Sequence, residues 1–267
     1  MTAPASPRTP HRTHGGGMEI VGHGFLARNL RPISDRHPDT VVLAAGVSWA
    51  SGTSDADFAR EAELLADTAD DCRRTGRRLL FFSTAATGMY AAVDGPGRED
   101  SVITTCTPYG EHKYRLEQQL QASGAEHLIL RLGHLVGPGA PAHQLIPALV
   151  RQVLEGSVRI HRGAARDLID VRDVVTIIDR LLAQDLRGTI VNVASGEAVP
   201  VESIVAHLAG RLGVDVERDV RDVPVAQHVI SIDKLRALMP ETSALGFGPG
   251  YYRGVLDDFL ATYSAGA

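Results

Sequence analysis

The chain has 267 residues, 44 % of them hydrophobic, and a formal net charge of −5. That length suits one α/β unit with a small appended lobe, and no apolar run reaches the roughly 18–20 residues of a membrane span. The negative balance offers no electrostatic footprint for nucleic acid or an anionic membrane. Two cysteines without CxxC or histidine spacing, Cys72 and Cys106, point to reduced thiols in a cytoplasmic protein, with neither a disulfide framework nor a metal site.

Residues 1–17 are Pro, Thr, His and Gly with almost no apolar content. They cannot bury enough surface to offset their ordering entropy, so a disordered tail is expected; without an apolar stretch they are not a secretory signal. His11 and His14 read as solvated side chains. Residues 18–21 predict a short strand ending in a glycine turn, 25–33 a helix despite Pro32, and 40–45 (TVVLAA) a buried strand. Helical periodicity follows over 55–74, then the buried strand 78–83 (RLLFFS) and a loop of small residues. Further on come a helix over 108–121, a strand over 126–132, helices over 145–154 and 174–182, a strand over 189–193 and a helix over 201–212. This alternation predicts an α/β fold with a doubly wound parallel sheet. Residues 18–196 form its expected cofactor-binding domain, with an excursion at about 138–169, and 197–267 are mainly a small C-terminal substrate lobe.

Residues 18–30 read MEIVGHGFLARNL. Gly22, Gly24 and Ala27 give G-x-G-x-x-A between strand and helix, with Phe25 and Leu26 in the same turn. Gly22 permits the turn, Gly24 lets a phosphate approach the backbone, Ala27 lets helix and strand pack closely, and the helix start offers N–H donors. A dinucleotide fold then continues into a second strand whose terminal acid binds the adenosine ribose, about 20 residues on. Here only SDRHPD separates the helix from the next strand. The usual second and third strands are missing, so the sheet is truncated at one edge and the adenosine pocket lacks a wall.

In PYGEHK, Tyr109 and Lys113 stand at i and i+4 and share a helix face. A free phenol titrates near 10 and is a poor proton carrier at neutral pH; a lone ammonium one turn away should lower that value and hold the nicotinamide ribose. The chain has only two lysines, Lys113 and Lys234, among its 27 basic residues, so this placement argues for chemistry over a surface role. Thr84, closing RLLFFS, is the candidate to hydrogen-bond a substrate oxygen opposite Tyr109, with Ser83 as fallback; either could instead cap a turn.

GHGFLA, VVLAAG, FFSTAA, TPYGEHK, LRLGHLVGPG, RDLIDVRDVV and NVASGEAV together resemble the extended short-chain dehydrogenase/reductase family, in its sugar-nucleotide epimerase/dehydratase/reductase branch. The resemblance implies a Rossmann-type sheet, NAD or NADP as cofactor, and a homodimer through a helix bundle that includes the Tyr109 helix. It assigns Thr84, Tyr109 and Lys113 to catalysis and Leu43, Ala44, Ala45 and Gly46 to the adenosine side. Arg166 matches the arginine that grips a substrate diphosphate, a role suited to a bidentate guanidinium, against an ion pair with Asp167 or Asp170. Ala85 and Ala86 stand where dehydratases carry acids, which disfavours water elimination. His134 replaces a common Asn beside the substrate and is a candidate acid/base or substrate donor, with a hydrogen-bonded structural histidine as the competing reading. Cys106 reads as a small apolar side chain, with an acid/base role as the minor alternative.

These features predict an NAD(P)-dependent oxidoreductase reducing a keto group on a nucleotide-activated sugar or similar small carbonyl, with Tyr109 as acid/base. One alternative is an NAD-dependent epimerase. Another is a degenerate member with a cofactor-independent isomerase, lyase or ligand-binding role.

Overall fold

The computed structural model describes residues 16–47, 53–86, 88–90, 95–222 and 229–263; residues 1–15, most of the expected tail, lie outside them. In chain order the elements are β1 (Glu19–Val21), α1 (Phe25–Leu30), a 3-10 helix (Arg31–Arg36), β2 (Thr40–Leu43), α2 (Asp55–Thr75), β3 (Arg78–Thr84), α3 (Pro108–Ala122), β4 (His127–Leu132), β5 (His134–Val136), α4 (Leu145–Leu154), β6 (Ser157–His161), β7 (Ala165–Arg166), β8 (Leu168–Asp170), α5 (Val171–Ala183), β9 (Thr189–Val193), β10 (Val199–Pro200), α6 (Val201–Leu212), β11 (Glu217–Arg221), α7 (Asp233–Leu238), a 3-10 helix (Pro240–Leu245) and α8 (Tyr251–Tyr263).

The central sheet has the order β1-β2-β3-β4-β9 and is parallel throughout. Every residue of β1, β2, β3 and β4 is buried, as expected where helices cover both faces. Alternate side chains go to opposite sides. Ile20, Val42, Leu80 and Leu128 join the core that includes α1, α5 and α7 residues, whereas Val21, Val41, Leu79 and Ile129 meet α2 and α3. The fold is the Rossmann-type doubly wound sheet that the alternation predicts. Ser54 and Asp57 form a reciprocal capping box at the start of α2, which satisfies otherwise orphaned N–H groups.

The helix expected over 25–33 is a shorter α-helix that passes into a 3-10 helix at Arg31. Pro32 is the cause: it has no N–H to give the carbonyl four residues back, and its ring crowds that carbonyl. The 3-10 helix returns to the sheet, where the Met18 N–H donates to Ser34 O at 2.7 Å. β2 then pairs directly with β1, Glu19 opposite Val41. Among the described residues no strand flanks the other side of β1.

The chain leaves the sheet after β4 and again after β9. Three two-stranded ribbons result: β5 with β8, β6 with β11, and β7 with β10. With α4, α6 and α8 they enclose a separate apolar core around Val150, Val158, Leu168, Ile204, Leu208 and Leu256. The ribbon strands and α7 and α8 were not expected from the sequence. Strands of two to five residues carry too few alternations to stand out, and β11 (ERDVR) is mostly exposed. The segment with Ile230, Ile232 and Leu235 returns to the core of the main sheet.

Candidate functional site

In an open parallel sheet the carboxyl ends of the strands border the ligand crevice; the glycine turn follows β1, Leu43 to Gly46 end and follow β2, Ser83 and Thr84 end β3 and His134 follows β4, whereas Arg166 lies on the separate β7–β10 ribbon. Thr107 caps α3 by accepting from the Gly110 N–H, and Pro108 occupies its first turn. Tyr109 and Lys113 then project from one face, with the Lys113 Nζ 5.8 Å from the Tyr109 ring centre and 5.2 Å from that of Phe81.

Lys113 is not a lone ammonium. It is buried, and donates to Glu61 Oε1 at 2.7 Å and to Phe82 O at 3.1 Å. The other carboxylate oxygen of Glu61 lies 2.9 Å from His112 Nε2, and the His112 ring stacks on Phe58 with centres 4.4 Å apart. Burial alone would push the Glu61 carboxyl up; the Lys113 ammonium, His112 and the Val47 backbone N–H overcome it and hold the pKa at about 2. The Lys113 pKa is raised: burial opposes its charge, but Glu61 and Tyr109 outweigh that. The Tyr109 hydroxyl donates to Val47 O at 3.4 Å. Its pKa is also raised, first by burial and further by Glu61, against the lowering effect of Lys113. Lys113 does lower the phenol's pKa, as the sequence predicts, but burial outweighs it and Glu61 adds to the rise, so the net direction is upward. Sequence reasoning missed Glu61, although a signal was present. Glu61 falls on the inward stripe of α2 with Leu65, Ala69 and Cys72, where an acid needs a buried partner.

The glycine turn sits beside this cluster. Gly22 has φ +130°, and a Cβ there would lie 2.6 Å from Ala44 O, so this glycine serves the contact between the β1 and β2 ends. Gly24 is different. It is exposed, and its Cβ would meet only Ala44 O, at 3.9 Å, leaving room over the backbone. Phe25 and Ala27 are buried and Leu26 packs partly against the core. Leu43 is buried, while Ala44 to Gly46 rise into solvent at the strand end. A Cβ on Gly46 would come within 2.3 Å of Glu61 Oε1 and 3.1 Å of Lys113 Nζ. The groups present fit the nicotinamide and diphosphate portion of NAD(P): an open turn at Gly24, and an ammonium with one N–H still unspent among the described contacts. On the adenosine side no described strand carries a ribose-binding acid.

On the substrate side, Thr84 Oγ1 donates to Ala86 O and accepts from the Ala86 N–H, both at 3.1 Å, so it caps its own turn. The Ser83 hydroxyl is buried, with no hydrogen-bond partner among the described residues. Thr84 pairs with Leu132 across β3 and β4, and His134, half-buried on β5, follows two residues on, its N–H donating to Asp167 O at 2.8 Å. Arg166 is half-buried, and its Nη1 donates to the Ala165 carbonyl at 2.7 Å. Neither Asp167 nor Asp170 pairs with it. The Asp167 carboxylate accepts from Ser195 N, Ser195 Oγ and Gly196 N, at 2.8, 2.7 and 2.8 Å, and Asp170 pairs with Arg172 at 2.6 Å. Burial raises the Asp167 pKa to about 6 against these donors. Cys106 is exposed, its N–H donating to Gly88 O at 3.3 Å.

Among the described residues no helix is long and apolar enough to cross a membrane. Several known proteins share this architecture. The chain is 25 % identical over 201 residues to dTDP-6-deoxy-L-talose 4-dehydrogenase (NAD(P)(+)) of Kitasatospora kifunensis, covering 70 % of this chain and 62 % of that protein. It is 26 % identical over 155 residues to GDP-6-deoxy-D-mannose reductase of Pseudomonas aeruginosa, covering 54 % and 51 %. It thus spans between half and two thirds of the length of these curated relatives. The structure of RMD from Pseudomonas aeruginosa complexed with NADPH superposes with a TM-score of 0.74 at 20 % identity, covering 92 % of this chain and 98 % of that one. The sequence pattern of one family extends over residues 26–194, more than half of the chain, and by that match the protein belongs to the NAD-dependent epimerase/dehydratase family.

Proposed function

We propose that this protein is an NAD(P)H-dependent ketoreductase acting on a nucleotide-activated sugar or a comparable small carbonyl, with Tyr109 as the proton donor. The observation that carries the reading is the placement of the phenol: half-buried one helical turn from Lys113, whose ammonium lies 5.8 Å from the Tyr109 ring centre and is held by Glu61 at 2.7 Å. A group held in its neutral form can donate, and reduction of a carbonyl needs a donor as the alkoxide forms. The nicotinamide supplies the hydride. Lys113 holds the ribose through its remaining N–H. Thr84 contributes once its hydroxyl turns from Ala86 O toward the substrate oxygen. Arg166, which no carboxylate claims among the described residues, is free to grip a diphosphate in bidentate fashion, and His134 borders the sugar. Epimerisation requires a cofactor retained through two half-reactions, and the open edge beside β1 argues for one that exchanges. Both curated relatives are named for 6-deoxy-sugar nucleotides, so 4-keto-6-deoxyhexose nucleotides are the first substrates to try.

The test follows NADPH and NADH oxidation at 340 nm with those substrates, in the native chain and in Tyr109→Phe. The phenylalanine variant should bind NADPH by nicotinamide fluorescence and lose about 10²- to 10⁴-fold in turnover. Turnover that survives the substitution would remove Tyr109 from the chemistry. A fold that binds neither dinucleotide would sink the ketoreductase.

A further inference from the structure

We propose that Glu61 is a positioning residue for the Tyr109–Lys113 pair: it fixes the Lys113 ammonium and balances its charge, so that Tyr109 remains a proton donor. This rests on the ketoreductase reading for its purpose, and on geometry for its content. Glu61 is 3 % exposed, and both of its oxygens are taken, by Lys113 Nζ at 2.7 Å and His112 Nε2 at 2.9 Å. The Phe82 carbonyl holds the ammonium from the sheet side at 3.1 Å. Gly46 leaves room for this arrangement at the point where the loop after β2 crosses it.

The charged groups facing the pair come from two of the three elements packed around it. α2 supplies Glu61, and α3 itself supplies His112 and Glu117. Glu117 is already paired with Arg131 of β4 at 2.7 Å, so it has little attraction left for Lys113. β3 presents Phe81 and Phe82, which carry no charge. Glu61 is therefore the principal counter-charge to Lys113. Without it the ammonium would act unopposed on the phenol. The phenol then gives up its proton at lower pH, and the window in which Tyr109 can donate narrows from the alkaline side.

Glu61→Gln keeps shape and removes charge. The phenol titration is read from tyrosinate absorbance at 295 nm, with Tyr109→Phe as the blank. That readout needs neither cofactor nor turnover, so it remains valid if the ketoreductase reading fails. Tyr109 should ionise about one pH unit or more lower in Glu61→Gln, and the alkaline limb of kcat should move down with it. A folded Glu61→Gln protein with both unmoved overturns the proposal and leaves a structural ion pair. Should the glutamine variant not fold, Glu61→Asp decides. It retains the charge but draws it back from Lys113, so a lower kcat at unchanged KM with a smaller downward phenol shift supports the positioning role. Native kcat in Glu61→Asp overturns it.

Discussion

Gly46→Ala offers a direct measure of how tightly the buried cluster constrains the loop above it. The methyl group would arrive 2.3 Å from Glu61 Oε1, 3.2 Å from its Cδ and 3.1 Å from Lys113 Nζ. Restoring an ordinary contact of roughly 3.5 Å obliges the carboxylate to withdraw by about 1 Å. That stretches the 2.7 Å bond to Lys113 beyond hydrogen-bonding range. Breaking a buried pair outright costs about 3–5 kcal/mol. Glu61 keeps His112, and the exposed loop can yield, so about 1–3 kcal/mol is expected, a fall in Tm of roughly 2–12 °C for a chain of this size. Unfolding of the cofactor-free protein by urea and by heat is the assay, repeated in a Glu61→Ala background. There the obstacle is gone, and alanine at 46 should cost less than about 0.5 kcal/mol, a non-additivity diagnostic of contact. Equal costs in the two backgrounds would refute the reasoning, because the methyl group would then not be meeting Glu61.

Two further outcomes are expected. Glu117→Gln strands Arg131, a 2 %-exposed guanidinium whose Nε and Nη2 bond Glu117 at 2.9 and 2.7 Å; it should lose about 3–5 kcal/mol in urea unfolding, whereas Glu117→Leu combined with Arg131→Met should lose much less. A loss below about 1 kcal/mol in the single variant would show that the pair is not tightly coupled. With no described strand outside β1 to carry a ribose-binding acid, NADH and NADPH should support reduction with kcat/KM values within about tenfold of each other; a preference above about 100-fold for either would reveal a recognition element elsewhere.

The main sheet was legible because its signals are local. TVVL and RLLFFST are long apolar runs between helices with recognisable caps, and the short reach from Pro32 to Thr40 leaves no chain for further strands. The pairing of Tyr109 with Lys113 was equally legible, since i and i+4 on a helix determine it. What the sequence did not reveal is who else meets that lysine. Glu61 is 52 positions away from Lys113, and only the packing of α2 on α3 brings them together. The rise in the phenol's pKa comes first from burial and then from that long-range contact. Thr84 is similar in kind: its residue type suits a substrate donor, but its hydroxyl bonds to Ala86 because the chain turns there. The lobe ribbons were hidden because each is two to five residues long and stabilised by a core assembled from distant segments.

Asp167 ties together the two places where the chain crosses from one apolar core to the other. Its backbone carbonyl holds His134 just after β4, and its side chain holds Ser195 and Gly196 just after β9. The two crossings are thereby fastened to one another through a single residue, and neither can shift without straining its bonds to Asp167. Arg166, carried by the lobe, is the chain neighbour of that fastening, so its backbone is anchored to the ends of both β4 and β9.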